Sequence, residues 1–99
     1  MLVHSVYFYV APESTPEQRE ALRKGLETLK SITCVEAIYI GAPAPVAPRP
    51  VINRDYAFGL TVICKDLAAH DAYQVDPTHK AFVDACKHLW TKVVIFDTQ

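Results

Sequence analysis

Cysteine is scarce in this chain and never forms a short motif: Cys34, Cys64 and Cys86 are an odd count, widely spaced, with no CxxC. That excludes a zinc ribbon and a thioredoxin-like redox centre. Embedded in apolar segments, the three read as reduced core thiols. Excess charge is equally scarce. Ten Lys and Arg stand against eleven Asp and Glu, a formal charge of -1 with no basic run, so a phosphate-dominated partner such as nucleic acid is not expected. No apolar run reaches the length of a membrane span, and Met1-Leu2-Val3-His4 lacks the charged and apolar regions of a signal peptide. Both absences point to a cytoplasmic protein with no membrane partner.

What is present is ordinary globular material, half of it apolar, over 99 residues. That is one domain, 1–99, small enough that dimerisation would help bury its surface. Val3 to Val10 reads as a strand with His4, Val6, Phe8 and Val10 on one face and Val3, Ser5, Tyr7 and Tyr9 on the other. Thr15-Pro16-Glu17-Gln18 is a capping box with proline at the first helical position, and Leu22, Leu26 and Leu29 supply a buried stripe. Gly25, inside that helix, suggests close approach to the sheet. Val35 to Ile40, ended by Gly41, is a second strand. Ala42 to Arg54 has prolines at 43, 45, 48 and 50 and reads as an extended loop, either connector or lid. Tyr56 to Cys64 is a third strand, with Tyr56, Phe58, Leu60, Val62 and Cys64 sharing a face. A helix from Asp66 to about Val75, another from Pro77 to about Trp90 and a strand from Val93 to Phe96 complete a β-α-β-β-α-β order. This order favours an α+β, ferredoxin-like antiparallel sheet of four strands with its helices on one face. Strands one and three are apolar on both faces, so the uncovered face calls for a partner, most simply a two-fold homodimer packed sheet against sheet.

Chemistry concentrates in Tyr73-Gln-Val-Asp-Pro-Thr-His79. Asp76 reads as a helix N-cap and Pro77 as the first helical residue, which puts His79 third, where the positive end of the helix dipole favours neutral imidazole. Tyr73 and His79 then form a candidate acid/base pair at the junction of two helices. His4 and Phe8 point to the helix-covered face, and Phe82 and Trp90 follow His79 at helical spacing. Together with Phe58 they are the expected lining of a small-molecule pocket. No cofactor or metal is expected.

These residues also carry a resemblance. The opening His4-Ser5-Val6, Gly41 after strand two, Asp55-Tyr56, the segment Ala72-Tyr73 through Asp76-Pro77-Thr78-His79, Phe82, Trp90 and the closing Ile95-Phe96-Asp97 resemble the stress-responsive A/B barrel domain (Dabb) family over nearly the whole chain. The resemblance implies a homodimeric α+β barrel with a small cavity under the helices of each protomer. In a plant cyclase type of this family, residues matching Tyr73 and His79 serve a cofactor-free aldol cyclisation, and its opening histidine matches His4. Where that type has further histidines this chain has Phe58 and Asp76, so the pair is kept and its polar surroundings are not. Some members hold Mg on backbone carbonyls in the region matching Leu29 to Val35. The implied activity is a cofactor-independent acid/base reaction of cyclase or lyase type on a carbonyl compound. A cofactor-independent monooxygenase on the same fold, or a non-catalytic ligand-binding dimer, is the alternative. Arg54 to Phe58 also approaches an RNA-recognition strand, but Asp55, Gly59 and Thr61 break that pattern.

Overall fold

A computed structural model describes all residues from Met1 to Gln99. Strand β1 (Leu2–Tyr9) leads through helix α1 (Pro16–Thr28) to β2 (Ala37–Gly41) and β3 (Phe58–Cys64), then helices α2 (Leu67–Gln74) and α3 (Pro77–Cys86) and strand β4 (Lys92–Thr98). The sheet order is β2-β3-β1-β4 and every pair is antiparallel. This is the expected ferredoxin-like α+β arrangement.

Local chemistry explains the helix starts. Thr15 Oγ1 accepts from the Gln18 amide at 3.1 Å while Gln18 Oε1 accepts from the Thr15 amide at 2.9 Å, so two orphan donors are satisfied reciprocally. Asp66 caps α2 through the Ala69 amide and Asp76 caps α3 through the Thr78 amide. The core lies between sheet and helices: Leu2, Val6, Phe8, Leu60, Val62 and Cys64 from the strands meet Leu22, Leu26, Tyr73, Phe82 and Cys86 from the helices. A fully buried side chain of this size contributes about 1.5–3 kcal/mol, so this layer carries most of the stability.

Several expectations are corrected. Gly25 does permit a close approach, but to α3 rather than the sheet: a Cβ there would sit 2.4 Å from Cys86 Sγ and 3.2 Å from Phe82 Cδ1. Strand β3 begins at Phe58, because the chain bends at Ala57 while the Ala57 amide donates to the Phe8 carbonyl at 2.7 Å. The bend turns Tyr56 away from Phe58's face and onto Tyr7, with ring centroids 4.9 Å apart. Strand β2 starts at Ala37, two residues later than its apolar run suggests. Helix α3 stops at Cys86, followed by a 3-10 turn over Lys87–Leu89, so Trp90 is not helical. β4 is longer at both ends than its apolar core and takes in Asp97. Cys34 is exposed; only Cys64 and Cys86 are core thiols, and all three are free.

The other face of the sheet has no covering layer. Tyr39 and Phe96 are exposed there, and Tyr7, Tyr9, Tyr56, Val94, Phe96, Lys92 and Asn53 line a groove of about 520 Å³. The loop between β2 and β3 borders it, held by a hydrogen bond from the Asn53 side-chain Nδ2 to the Tyr9 hydroxyl at 3.1 Å.

Candidate functional site

The helix-covered side holds a cavity of about 150 Å³, walled by β1, β3, β4, the end of α2, α3 and the chain around Trp90. Its polar groups are His4, Gln74 and His79; its apolar wall includes Phe8, Phe82 and Trp90. Phe8, Phe82 and Trp90 stack as a cluster with centroids 5.1–6.0 Å apart, so Trp90 reaches the wall from outside the helix. Phe58 is half-buried against the core and is not among the lining residues.

His79 is third in α3, after Asp76 and Pro77, as the capping chemistry requires. Its pKa is held below the usual imidazole value. Burial is the main cause and the neighbouring His4 adds to it, while the Gln74 backbone and Asp76 pull the other way. The Tyr73 ring lies against His79 with centroids 4.8 Å apart. Tyr73 itself is fully buried, is not among the residues that line the cavity, and its hydroxyl has no hydrogen-bond partner. Burial pushes its phenol well above the ordinary tyrosine range, so it stays protonated. As a pair, then, one member is poised to accept a proton and the other only to donate a hydrogen bond.

His4 is buried at the opposite wall. Register places it directly across from Asp97 of β4, and His4 Nδ1 lies 2.5 Å from Asp97 Oδ1. Its other nitrogen, Nε2, is 3.3 Å from the Gln74 side-chain amide. His70, one turn before Tyr73 on α2, packs its ring 5.0 Å from that of His4, and its Nε2 is 3.7 Å from Asp97 Oδ2. Thus His70, Tyr73 and Gln74, at i, i+3 and i+4, present one face of α2 to β1. His70 and Gln74 are neighbours to which the sequence reading gives no role, and Asp97 enters it only within the closing Ile95-Phe96-Asp97 of the family resemblance, not as a site residue. Helical spacing from Tyr73 is the signal for the first two; the third depends on strand register.

Comparison with known proteins agrees with this architecture. A Dabb family protein from Mesorhizobium loti with a ferredoxin-like fold is 26% identical, with 99% of this chain and 94% of that one covered and a TM-score of 0.75. A dimeric ferredoxin-like protein of unknown function from Thermobifida fusca gives 22% identity, 98% and 88% coverage and a TM-score of 0.78. Hydroxynitrile lyase from Passiflora edulis gives 14% identity, 98% and 90% coverage and a TM-score of 0.75. No curated protein matches the chain in sequence. The family model of the Stress responsive A/B Barrel Domain, Dabb, matches residues 2–99, and with its fold and element order in agreement the chain belongs to that family.

Proposed function

We propose that this protein is a homodimeric, cofactor-independent acid/base enzyme acting on a small enolisable carbonyl compound. The carrying observation is the cavity into which His79 projects beside His4 and Gln74, within otherwise apolar walls. His79, kept neutral by burial, accepts a proton from the carbon next to the carbonyl. The Tyr73 hydroxyl, protonated and without a hydrogen-bond partner, donates to the enolate oxygen once substrate binding brings the two together. His4, held by Asp97, orients the carbonyl or a water. A cavity of about 150 Å³ is well under the ~300–1,000 Å³ of pockets for drug-sized ligands, which favours a short substrate over an extended chain. That a lyase shares the fold adds only that this architecture accommodates an enzyme.

The dimer follows from the uncovered aromatic face, a patch of the kind that marks an interface, and from the dimeric state of a neighbour on the same fold. Sedimentation at micromolar concentration tests it, a monomer being the adverse result. The chemistry is tested by deuterium exchange at the α-carbon of small aldehydes and ketones, followed by NMR. His79→Ala and Tyr73→Phe each lower the exchange rate roughly 10²- to 10⁴-fold. Exchange no faster than in buffer, or equal in wild type and both variants, removes the enzymatic reading. The full enclosure of Tyr73 favours a second reading, a dimer that retains a small ligand without turnover. A compound released on denaturation and seen by mass spectrometry, with no exchange activity, supports that outcome.

A further inference from the structure

His70 has no part in the reaction proposed above, and its surroundings need an explanation. Its Nδ1 faces the Asp71 carboxylate at 3.1 Å. An ionised carboxylate only accepts, so that nitrogen carries the hydrogen, and in the neutral imidazole Nε2 is left with its lone pair. Nε2 is sealed from solvent, has no hydrogen-bond partner, and looks at Asp97 Oδ2 across 3.7 Å. Two lone pairs facing one another across a gap too wide for a hydrogen bond are stabilised by a cation between them. On the other side of the same carboxylate stands His4 Nδ1, and the three donor atoms lie within 4.8 Å of one another. Each imidazole is braced at its remote nitrogen, His70 by Asp71 and His4 by the Gln74 amide, whose oxygen and nitrogen ends exchange by a half-turn. Converging nitrogens braced from behind are the outer-shell pattern that orients histidine ligands in metal centres.

We propose that His4, His70 and Asp97 bind a divalent first-row transition ion such as Zn²⁺, with Asp71 and Gln74 orienting the two imidazoles. Two imidazoles and one carboxylate suit such ions, whereas Mg²⁺ and Ca²⁺ prefer oxygen ligands. Bonds of about 2.0–2.2 Å in tetrahedral geometry separate neighbouring donors by roughly 3.4 Å. The His70–Asp97 separation of 3.7 Å is already close to that. On binding, His4 takes up the tautomer with its hydrogen on Nε2, donated to the Gln74 side-chain oxygen after its half-turn, which frees Nδ1 for the ion, and His4 and Asp97 move apart by about an ångström. The Asp97 side chain is 42% exposed, which opens a path for the ion and leaves coordination positions for water or an oxygen ligand. The proposal shares His4 and Asp97 with the carbonyl chemistry but concerns binding alone, and its readout, metal affinity, is separate from exchange activity.

The test titrates untagged, metal-stripped protein with Co²⁺ by visible absorption and with Zn²⁺ by calorimetry. One equivalent binds, with the ligand-field bands of nitrogen and oxygen ligation and no thiolate charge-transfer band. His70→Ala and Asp97→Ala abolish saturation, Asp71→Asn weakens binding about 10- to 100-fold, and His88→Ala on the exposed surface leaves it unchanged. His4 is a core residue, so the decisive variants are these more exposed ones, with the fold checked by circular dichroism. Absence of saturable binding at submillimolar Co²⁺, a thiolate band, or affinity unchanged in both His70→Ala and Asp97→Ala overturns the proposal.

Discussion

His79 and His4 reach one cavity from opposite layers of the fold, in very different company. His79 sits at a helix start, half-buried against the Tyr73 ring, with no carboxylate in ion-pairing range and its pKa lowered mainly by burial. His4 sits inside β1, enclosed, with Asp97 on one nitrogen and Gln74 near the other. The first has a nitrogen open to accept a proton from a bound molecule; the second is fixed in orientation by two partners. Two histidines lining one cavity are thus given different surroundings by their neighbours, one open to a bound molecule and one anchored, and removing each in turn should separate the roles.

The largest difference should be in stability. His4→Ala removes a buried ring, leaves a void against the His70 and Tyr73 rings, and strands Asp97 and Gln74, a loss of about 2–4 kcal/mol. His79→Ala, at a half-exposed helix start, should cost only about 1 kcal/mol or less. Urea unfolding of the two variants checks this, and equal losses would mean that the contrast drawn from burial and partners is wrong.

A smaller effect probes the layer that carries His79 without touching His4. Gly25→Ala gains helix propensity of up to about 1 kcal/mol, but its new methyl meets Cys86 Sγ at 2.4 Å and crowds Phe82, a cavity wall residue. The net expectation is a loss of about 1–2 kcal/mol, largely restored by the second substitution Cys86→Ala. Failure of the double variant to recover would place the strain elsewhere than between α1 and α3.

The two histidines also differ in how far they were legible in the sequence. Asp76 and Pro77 write the start of α3 into four consecutive residues, so the position of His79 follows from capping alone, and Tyr73 lies within the same short segment. His4 is different. Its partner Asp97 is 93 residues away and is brought opposite by the register of β1 on β4. The apolar run ending at Phe96 gives no sign that pairing continues past it. His70 and Gln74 lie at helical spacing about Tyr73, but spacing alone does not say that this face meets His4. Tyr56 fails for a related reason: period-two alternation puts it with Phe58, and a bend at Ala57, fixed by one hydrogen bond to β1, reverses it. Local capping and the apolar stripes of strands and helices thus reveal the architecture, whereas the polar cluster exists only through nonlocal register.

Acidity offers a finer discrimination. The folded-state pKa of His79 lies below the ordinary imidazole value of 6.5, so between the two values the unfolded chain binds the proton and the folded chain does not. Stability from this group is therefore complete above about pH 6.5 and declines as pH falls toward the folded value. Proton abstraction by His79 should lose its rate over the same acid limb. Replacing His79 with Asn should flatten both profiles below pH 6.5. If both keep their acid limbs, another group is the titrating one.

The smallest effect is the most pointed, because its sign matters more than its size. The Tyr73 hydroxyl is buried and makes no hydrogen bond, and a polar atom left so costs free energy relative to a partnered or absent one. In an ordinary core tyrosine, Tyr→Phe removes a useful bond and lowers stability. Here Tyr73→Phe removes an unsatisfied group while leaving the ring against His79, so thermal and urea unfolding should show no loss, or a gain of up to about 1 kcal/mol. If the same substitution also slows α-proton exchange, the hydroxyl is a group kept at a cost to the fold for the sake of the reaction. Should Tyr73→Phe instead destabilise the protein, the hydroxyl has a partner in solution, such as an enclosed water, and its freedom to donate to an enolate is lost from the mechanism.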